Sequence, residues 1–428
     1  MKKLTKVLLA AILSLSLFGC SSGGGSGNAD SGKTVITFWG HQNEPWNNAY
    51  KAVAAEFEAA NPEYKINFEF FPYDTFESKV QTSLISKTGG ADMYELWGGW
   101  GVDFAPTGAL AKIPDELAAN IENEVYEPTI GALMYDGNLY GLPLEFNIEV
   151  GGMLVNNILL EAQSATIPTT WDELVATAAS ASKVENDIFQ VKGFDFVNWD
   201  SVPYIFTSMI LSKGGNYLTE DGKITFSNPI AEEAFAELVS MVQDSKVTDL
   251  EGLVGGGELE GYQQLYAGKA LFVPRGPWTI SEGVESFGLV LGEDFDYVAL
   301  PFYGDEKAFA AETGWSMAVN ENSKVKEGAF KFLEFLFQDE QLLKLNIACT
   351  QIPAKKSVAT NPELITQMPY AEVLVGILDN AQFIGHFNTD IFKEGINNKF
   401  VEYNQGQYTD VKTALTDLET ELNEKLFK

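Results

Sequence analysis

Few side chains in this sequence are suited to act as nucleophiles, proton shuttles or metal ligands. The chain has 428 residues but only 2 His and 2 Cys. Nucleophilic catalysis by a Ser-His-Asp or Cys-His set would have to use His41 or His386, and neither lies in a G-x-S-x-G or similar context. The same counts nearly exclude a His-rich metal site and a disulfide framework. We therefore expect no cofactor and no metal site.

Phosphate binding and glycoside hydrolysis are two further functions to test against the sequence. The glycine run at 255–257 and the segment Gly268-Lys269-Ala270 both lack the GK[ST] ending of a phosphate-binding loop. A glycosidase is harder to exclude, because it needs only two carboxylates about 5 to 9 Å apart. The 60 Asp and Glu residues allow many such pairs.

The remaining candidates are groups that recognise a ligand without reacting with it. Arg275 is the only arginine, and its guanidinium could fork two hydrogen bonds to one partner. It precedes Gly276-Pro277-Trp278. A second group, Trp97, Trp100 and Asp103, lies in LWGGWGVD, where glycines allow the backbone to approach a ligand closely. Core packing is the alternative role of each tryptophan.

Hydrophobic periodicity predicts the elements that position these residues. Val35–Trp39, 66–71 and 93–97 are predicted strands, because they are rich in β-branched and aromatic residues. Helices are predicted between them, at about 46–57 and 74–87. This alternation favours a mostly parallel α/β sheet, in which ligands bind beyond the carboxyl ends of the strands. The loops after Trp39 and Leu96 are therefore candidate site loops.

Later segments carry clear helix and turn signals. Thr170 to Glu173 has the capping-box pattern, and Asn228-Pro229 combines an N-cap residue with proline at the first helical position. Thr219 to Lys223 is predicted to be a turn. Helices are also predicted over 323–337 and from about 409.

Length, composition and charge limit the class of protein. A chain of 428 residues is long for one hydrophobic core, so two lobes or domains are expected. The formal charge of -32 disfavours binding to nucleic acid or to anionic lipid headgroups. With 45% hydrophobic and 21% charged residues, the composition is that of a globular protein.

The first 33 residues are typical of export and anchoring. Lys2, Lys3 and Lys6 precede an apolar run over 7–18, which is too short to span a bilayer and suits a signal peptide over 1–19. The run ends in LFGC, which resembles the bacterial lipobox and predicts lipidation of Cys20; an ordinary signal peptide cut elsewhere is the alternative. Residues 20–33 are predicted to be a flexible tether. Cys349, left without a disulfide partner, is predicted to be a small buried residue.

Several segments along 34–428 resemble the sugar-type extracellular solute-binding proteins of ABC importers, the maltose-binding-protein-like family. Their order and spacing carry the resemblance, since no single segment is as specific as a metal-ligand signature. The segments are ITFWG at 36–40, EFEAANPEYKINFEF at 56–70, ADMYELW at 91–97, LYGLPLEFN at 139–147, PTTWDEL at 168–174, ALFVPRGPW at 270–278, ETGWSMAVNENSKVKEGAFKFLEFL at 312–336 and QIPAKKSV at 351–358.

The resemblance implies an α/β, two-lobed, periplasmic-binding-protein-like fold of type II, with a ligand cleft between lobes joined by a hinge. It implies an N-terminal lobe over 34–146 plus 303–352 and a C-terminal lobe over 147–298 plus 353–428. The chain would cross between the lobes near 141–151, 298–302 and 351.

The implied function is to bind a carbohydrate, an oligosaccharide, outside the cell and to deliver it to the membrane permease subunits of an ABC transporter by hinge closure. The protein would be a monomer without enzymatic activity, lipid-anchored at the outer face of the cell membrane and not binding nucleic acid. Two alternatives stay open: a binding protein for a non-sugar solute such as a peptide or polyamine, and a secreted glycan-degrading lipoprotein.

A sugar needs flat aromatic rings for its C–H faces and planar polar groups for its hydroxyls. The resemblance places Trp278 in the cleft as a stacking ring, while Trp171 is expected to be structural. Trp315 follows Gly314 where many relatives carry a second glycine, and it is expected either to contact ligand or to fill a gap. The full set of candidate ligand-binding residues is Trp278, Arg275, Trp100, Trp97, Glu145, Asn147, Trp199, Asp200, His41, Gln42, Glu44, Trp315, His386, Asn388 and Asp103.

Overall fold

The computed structural model describes residues 32–86, 90–149, 151–197, 200–255, 259 and 261–427. The predicted signal peptide, most of the tether, the lipidation site Cys20 and the candidate Trp199 lie outside the described residues.

The described residues contain the following strands, numbered in chain order: β1 (Thr34–His41), β2 (Tyr64–Phe71), β3 (Met93–Leu96), β4 (Met134–Tyr135), β5 (Asn138–Leu139), β6 (Leu142–Pro143), β7 (Glu145–Asn147), β8 (Gly152–Asn156), β9 (Lys183–Glu185), β10 (Ile188–Phe194), β11 (Ala270–Pro274), β12 (Phe295–Ala299), β13 (Phe309–Thr313), β14 (Ser316–Val319), β15 (Ile352–Pro353) and β16 (Ala381–Phe383).

The helices are α1 (Glu44–Ala60), α2 (Tyr73–Ser86), α3 (Trp100–Phe104), α4 (Asp115–Glu124), α5 (Asn157–Ala162), α6 (Trp171–Ala181), α7 (Ser201–Ser212), α8 (Pro229–Gln243), α9 (Glu251–Val254), α10 (Gly261–Tyr266), α11 (Ile280–Glu285), α12 (Lys326–Leu336), α13 (Asp339–Cys349), α14 (Lys356–Ala359), α15 (Pro362–Gln367), α16 (Tyr370–Val375), α17 (Thr389–Asn404) and α18 (Val411–Leu426).

The first sheet has the order β2-β1-β3-β14-β6. Its first three strands are parallel, as the alternation of strands and helices predicts, whereas β14 and β6 pair antiparallel. Ile36 and Phe38 of β1 are buried, alternating with the half-buried Thr37 and Trp39. Helix α1 follows with Asn43 as its N-cap and packs an apolar face on this sheet. The first sheet with its helices is called the first lobe below.

The second sheet has the order β12-β8-β11-β10-β9. Only β10 and β11 are parallel here, so the expectation of mostly parallel strands is wrong for this sheet. Both faces are covered, since Met153 and Val155 of β8 enter one hydrophobic core and Leu154 enters the other. The capping box at Thr170–Glu173 and the Asn228 N-cap begin α6 and α8 as predicted. The second sheet with its helices, including α7, α8, α17 and α18, is called the second lobe.

A third sheet of four short strands, β15-β7-β13-β16, joins the two lobes and is called the connecting sheet. Strand β7 lies in the chain between β6 of the first sheet and β8 of the second. Strand β13 lies between β12 of the second sheet and β14 of the first. The two pair antiparallel, with Glu312 opposite Asn147. Chain segments running in opposite directions between the lobes are therefore held side by side.

Two further findings concern the free thiol and helices that could cross a membrane. Cys349 is a buried free cysteine, as predicted. Within the described ranges, no helix combines the length and apolarity that a membrane crossing requires.

Candidate functional site

On the first lobe, four rings surround the indole of Trp315; together they are called the aromatic cluster. The imidazole of His41 stacks on Trp315 with ring centroids 4.2 Å apart. Trp97, Trp100 and Tyr73 present tilted or edge-on rings at centroid distances of 5.1, 6.2 and 6.2 Å. Trp315 is only 7% exposed, so its ring fills the centre of this group. Trp97 and Tyr73 are more exposed and form its outer surface.

Buried hydrogen bonds fix the position of His41. Its strand, β1, lies beside β3, which carries Glu95. Glu95 accepts a hydrogen bond from the His41 backbone N–H at 2.8 Å and pairs with His41 Nδ1 at 2.7 Å. Its other oxygen accepts the Tyr50 hydroxyl at 2.7 Å. His41 therefore supports Trp315 from beneath, as a buried part of the cluster.

On the second lobe, polar groups converge on Trp278, which lies in a turn directly after β11. The guanidinium of Arg275 lies over the indole, 5.0 Å from the ring centroid. The indole N–H donates to Glu149 at 3.2 Å, and Arg275 approaches the same carboxylate at 3.4 Å. Arg275 also donates to Asp200. Ring and guanidinium are thus held in one orientation by two carboxylates.

The charged groups continue from Asp200 to the connecting sheet. Lys393 of α17 lies 3.4 Å from Asp200 and 3.8 Å from Glu312 of β13. Glu312 also accepts hydrogen bonds from Tyr204 and Thr389. We call the series Glu149–Arg275–Asp200–Lys393–Glu312 the ionic chain. All five side chains are largely buried.

Burial and neighbouring charges shift the pKa values in the ionic chain in opposite directions. Burial alone would raise the pKa of Asp200, but the positive charges of Lys393 and Arg275 lower it below its ordinary value. Burial raises the pKa of Glu149 and of Glu312, and the cations only partly offset this. Asp200 is therefore the carboxylate that both cations stabilise in its ionised form.

The two lobes face each other at Tyr73. This residue begins α2 in the first lobe and keeps 54% of its surface exposed. The surrounding protein nevertheless raises the pKa of its hydroxyl, and the charges acting on it include Lys393, Asp390 and Asp200 of the second lobe. An exposed ring with protein on both sides lies in a cleft.

Helix α17 of the second lobe meets the first lobe directly. Asn388 caps α17 and donates 2.7 Å to Asp103 of α3. A Cβ added to Gly99 would lie 2.6 Å from the hydroxyl of Thr389, and one added to Gly98 would lie 2.9 Å from Glu312 Cγ. The LWGGWGVD segment therefore packs against the N-terminus of α17, at the floor of the cleft.

Glu145 and Asn147 lie in the connecting sheet and are buried. Glu145 accepts the backbone N–H of Trp315 at 2.9 Å. Burial, together with the charges of Glu149 and Glu95, raises the pKa of Glu145 to about 8 although this hydrogen bond lowers it. Both side chains lie beneath the cleft, in the strand that joins the lobes.

The remaining candidate residues from the sequence lie at the margins of the cleft. Gln42 and Glu44 are exposed at the start of α1. His386 is exposed above Phe383, with ring centroids 5.1 Å apart, and lines a separate groove with Glu127, Asp221 and Phe427. The structure thus brings Trp278, Arg275, Asp200, Asn388, Asp103, Trp97, Trp100, Trp315 and His41 together around one cleft, and leaves His386 in a different groove.

Several groups that the structure brings to this cleft are not among the candidates predicted from the sequence. They are Glu149, Lys393, Glu312, Tyr204, Tyr73 and Glu95. Glu149 stands two residues after Asn147 and could have been included with that segment. The others lie inside helices or strands whose patterns indicate only packing. In the described part of the chain, no group of three His, Cys, Asp or Glu side chains is arranged to hold a metal ion.

Comparison with known proteins identifies the family and the fold. Residues 43–342 match the family model described as bacterial extracellular solute-binding protein. A Brucella abortus protein named as a binding protein is 26% identical over 366 residues, which are 83% of this chain and 84% of the relative. The arabinooligosaccharide-binding protein of Bacillus subtilis is 26% identical over 276 residues, covering 61% of this chain and 59% of the relative.

A solved structure extends the similarity to the whole fold. The cyclic alpha-maltosyl-1,6-maltose binding protein from Arthrobacter globiformis superposes with a TM-score of 0.74 at 21% identity, covering 92% of this chain and 99% of that chain. The fold is therefore the two-lobed, type II periplasmic-binding-protein fold that the sequence resemblance implied. With its family model matched over most of its length, the chain belongs to the bacterial extracellular solute-binding proteins.

Proposed function

We propose that this protein binds a carbohydrate, an oligosaccharide, in the cleft between its lobes and delivers it to an ABC transporter permease by hinge closure. The observation that carries the proposal is the pair of facing walls. Trp97 and Tyr73 offer partly exposed rings on one lobe, and Trp278 offers one on the other. Rings on two sides suit the two C–H faces of sugar units.

Fixed polar groups beside these rings support a ligand rich in hydroxyls. Arg275 and Asp200 border Trp278, and Asp103 accepts a hydrogen bond from Asn388 at the floor of the cleft. Because their partners hold them in place before ligand arrives, little side-chain entropy is lost on binding. The names of the arabinooligosaccharide-binding and cyclic maltosyl-maltose binding relatives agree with this class of ligand.

The lobe boundaries, hinge and anchor belong to the same proposal. The lobes are 34–146 with 303–352, and 147–298 with 353–428. The short connecting strands β7 and β13 would act as the hinge. Lipidated Cys20 would hold a monomer at the outer face of the cell membrane, and no chemistry on the ligand is required.

One observation favours a second candidate, a cationic solute such as a polyamine. Three carboxylates, Glu77, Asp103 and Asp390, come from both lobes, and burial followed by the charges of Asp390 and Asp103 raises the pKa of Glu77. Such mutual repulsion would be relieved by a bound cation. The extent of the aromatic walls makes a neutral glycan our first choice.

Isothermal titration calorimetry with a ligand panel tests the proposal. The panel contains maltotriose, mannotriose, arabinotriose, spermidine and a tripeptide. Micromolar or tighter binding of a neutral glycan supports the proposal. Binding of only spermidine or the tripeptide would refute its carbohydrate part. Chromatography of the recovered ligand completes the test, because shortened products would identify a glycan-degrading enzyme.

A further inference from the structure

Asp200 is shared by two cations. Its Oδ2 accepts a hydrogen bond from Arg275, and its Oδ1 lies 3.4 Å from the ammonium of Lys393. Both carboxylate oxygens are therefore engaged, which fixes the plane of the carboxylate and the direction from which Arg275 meets it.

Lys393 is placed to act through other residues. It is 4% exposed, so its ammonium is not presented to a ligand in the cleft. It lies among Asp200, Glu312 and Asp390, at 3.4, 3.8 and 3.3 Å. Burial alone would lower its pKa, but these carboxylates raise it, so the ammonium keeps its charge.

The ionic chain is closed into a ring by the backbone. Glu149 follows β7 by two residues, and Glu312 lies in β13, which pairs with β7. The three middle members, Arg275, Asp200 and Lys393, belong to the second lobe. One end of the ionic chain therefore lies in β13 and the other lies just beyond β7, so its three middle members are held between two anchored carboxylates.

We propose that Lys393 is a positioning residue of the cleft, which holds Asp200 so that Asp200 keeps the guanidinium of Arg275 over the indole of Trp278. The inference rests on the proposed function of the cleft and adds to it a determinant of specificity. A guanidinium held in one plane favours ligands whose adjacent hydroxyls match its two donors. A mobile one would bind more ligands, each more weakly.

The structure supplies a matched control in the same helix. Lys399 of α17 is 2% exposed and pairs with Glu421 at 3.0 Å and Glu402 at 3.1 Å. These carboxylates lie in α17 and α18, and Lys399 also donates to the hydroxyl of Tyr408 between the two helices; all three partners are outside the ionic chain. Lys399→Met therefore removes an equally buried ammonium without touching Asp200.

The first measurement needs no ligand. Arg275 is the only arginine, so protein labelled with ¹⁵N-arginine gives a single side-chain Nε–Hε signal. We expect Lys393→Met to move this signal towards that of free arginine and to speed its exchange with water, and Lys399→Met to leave it unchanged. An unchanged signal in Lys393→Met would overturn the proposal. Because no glycan is involved, this result is separate from the test of carbohydrate binding.

The second measurement compares affinities for maltotriose and mannotriose. Lys393→Met is expected to lose tenfold or more, and Lys399→Met less than twofold, even if both lower the melting temperature. In the Asp200→Asn background, Lys393→Met should cause little further loss, because the link is already broken. If Lys393→Met fails to fold, Glu312→Gln is added to it, because Glu312 is buried and Lys393 is the cation beside it. A loss that is just as large in the Asp200→Asn background would refute the route through Asp200.

Discussion

The imidazole of His41 lies flat against the indole of Trp315, with ring centroids 4.2 Å apart and ring planes 5° from parallel. Trp315 stands where the chain leaves β13 of the connecting sheet and enters β14 of the first. Its backbone N–H donates to Glu145 of β7. One residue thus joins the aromatic cluster to both β7 and β13 of the connecting sheet. The sequence predicts that Trp315 either contacts ligand or fills a gap, and its burial at the centre of the cluster favours gap filling.

Trp315→Ala should destabilise the protein strongly. Removing a 7% exposed indole leaves a cavity among four rings, and such truncations cost about 3–5 kcal/mol. Urea unfolding followed by circular dichroism measures the change. Trp315→Phe, which keeps a ring on His41, is the control and should lose less. A loss below about 1 kcal/mol for Trp315→Ala would mean that the cluster collapses to fill the space.

Trp278→Ala should remove most of the affinity while the fold is kept. The ring is partly exposed and carries the guanidinium of Arg275 on one face. Central aromatic residues of binding sites are worth at least about 2 kcal/mol, or about thirtyfold in affinity. The matched control is Trp171→Phe, because Trp171 is buried at the start of α6 and donates to Glu237. Calorimetry should show no change in affinity there, even if stability falls.

Arg275→Lys should weaken binding about tenfold although the charge is kept. Arg275 reaches both Asp200 and Glu149 and lies over the ring of Trp278, and a lysine ammonium lacks the planar guanidinium. Hydrogen bonds to charged groups are worth about 1.5–3 kcal/mol. Calorimetry with the strongest ligand of the panel measures the effect. Equal affinities of both proteins would show that charge alone matters at this position.

Glu145→Gln should change how stability depends on pH. The pKa of Glu145 is about 8 in the folded protein because of burial, and in an unfolded chain it is about 4.3. Between these values the folded state binds more protons, so its contribution to stability is complete below about pH 4.3 and is lost as pH rises towards 8. The expected slope is up to about 1.4 kcal/mol per pH unit.

The contribution of the Glu145 carboxyl is the difference between the unfolding free energies of the wild type and Glu145→Gln at each pH. Urea unfolding at pH 5 to 8.5 should show a shallower decline for Glu145→Gln. The exposed Glu424, replaced by Gln, should follow the wild type. Parallel curves for wild type and Glu145→Gln would contradict a proton held on this buried carboxyl.

The substitution Asn388→Asp distinguishes the two roles of Asn388, which caps α17 and contacts Asp103 of the other lobe. Asp caps a helix as well as Asn, so α17 should stay stable. The new charge would lie opposite Asp103, which now accepts a hydrogen bond from Asn388. Affinity should fall several-fold by titration, and Asp103→Asn in the same chain should restore it. A fall that this second change leaves uncorrected would place the effect elsewhere.

Local patterns predict the elements well because their causes are local. The capping box at Thr170, the N-cap at Asn228 and the helix predicted from about 409, which is α18, all appear where the sequence places them. Strand pairing is different, because it depends on segments far apart in the chain. Nothing local to β14 indicates that it pairs antiparallel with β3, more than two hundred residues away.

The residues of the cleft also differ in how well the sequence predicts them. Trp278, Arg275 and the LWGGWGVD segment stand out by residue type, so they could be named from the sequence. Lys393 and Glu312 could not, since one is an ordinary lysine in a helix and the other lies within a buried strand. The role of Lys393 depends on Asp200 and Glu312, which lie far away in the chain and reach it only in the folded structure. Residue type therefore predicts the aromatic rings and the guanidinium of Arg275. The ionic chain that holds them arises only from tertiary structure.

The glycines at 98 and 99 lie where the first lobe touches Glu312 and Thr389. Gly99 has φ of -63°, an angle that any amino acid adopts, so backbone geometry does not demand glycine there. Space does, since even a methyl group would press on the opposite lobe. The size of side chain that fits at position 99 is therefore set by a surface that forms only when two distant parts of the same molecule meet.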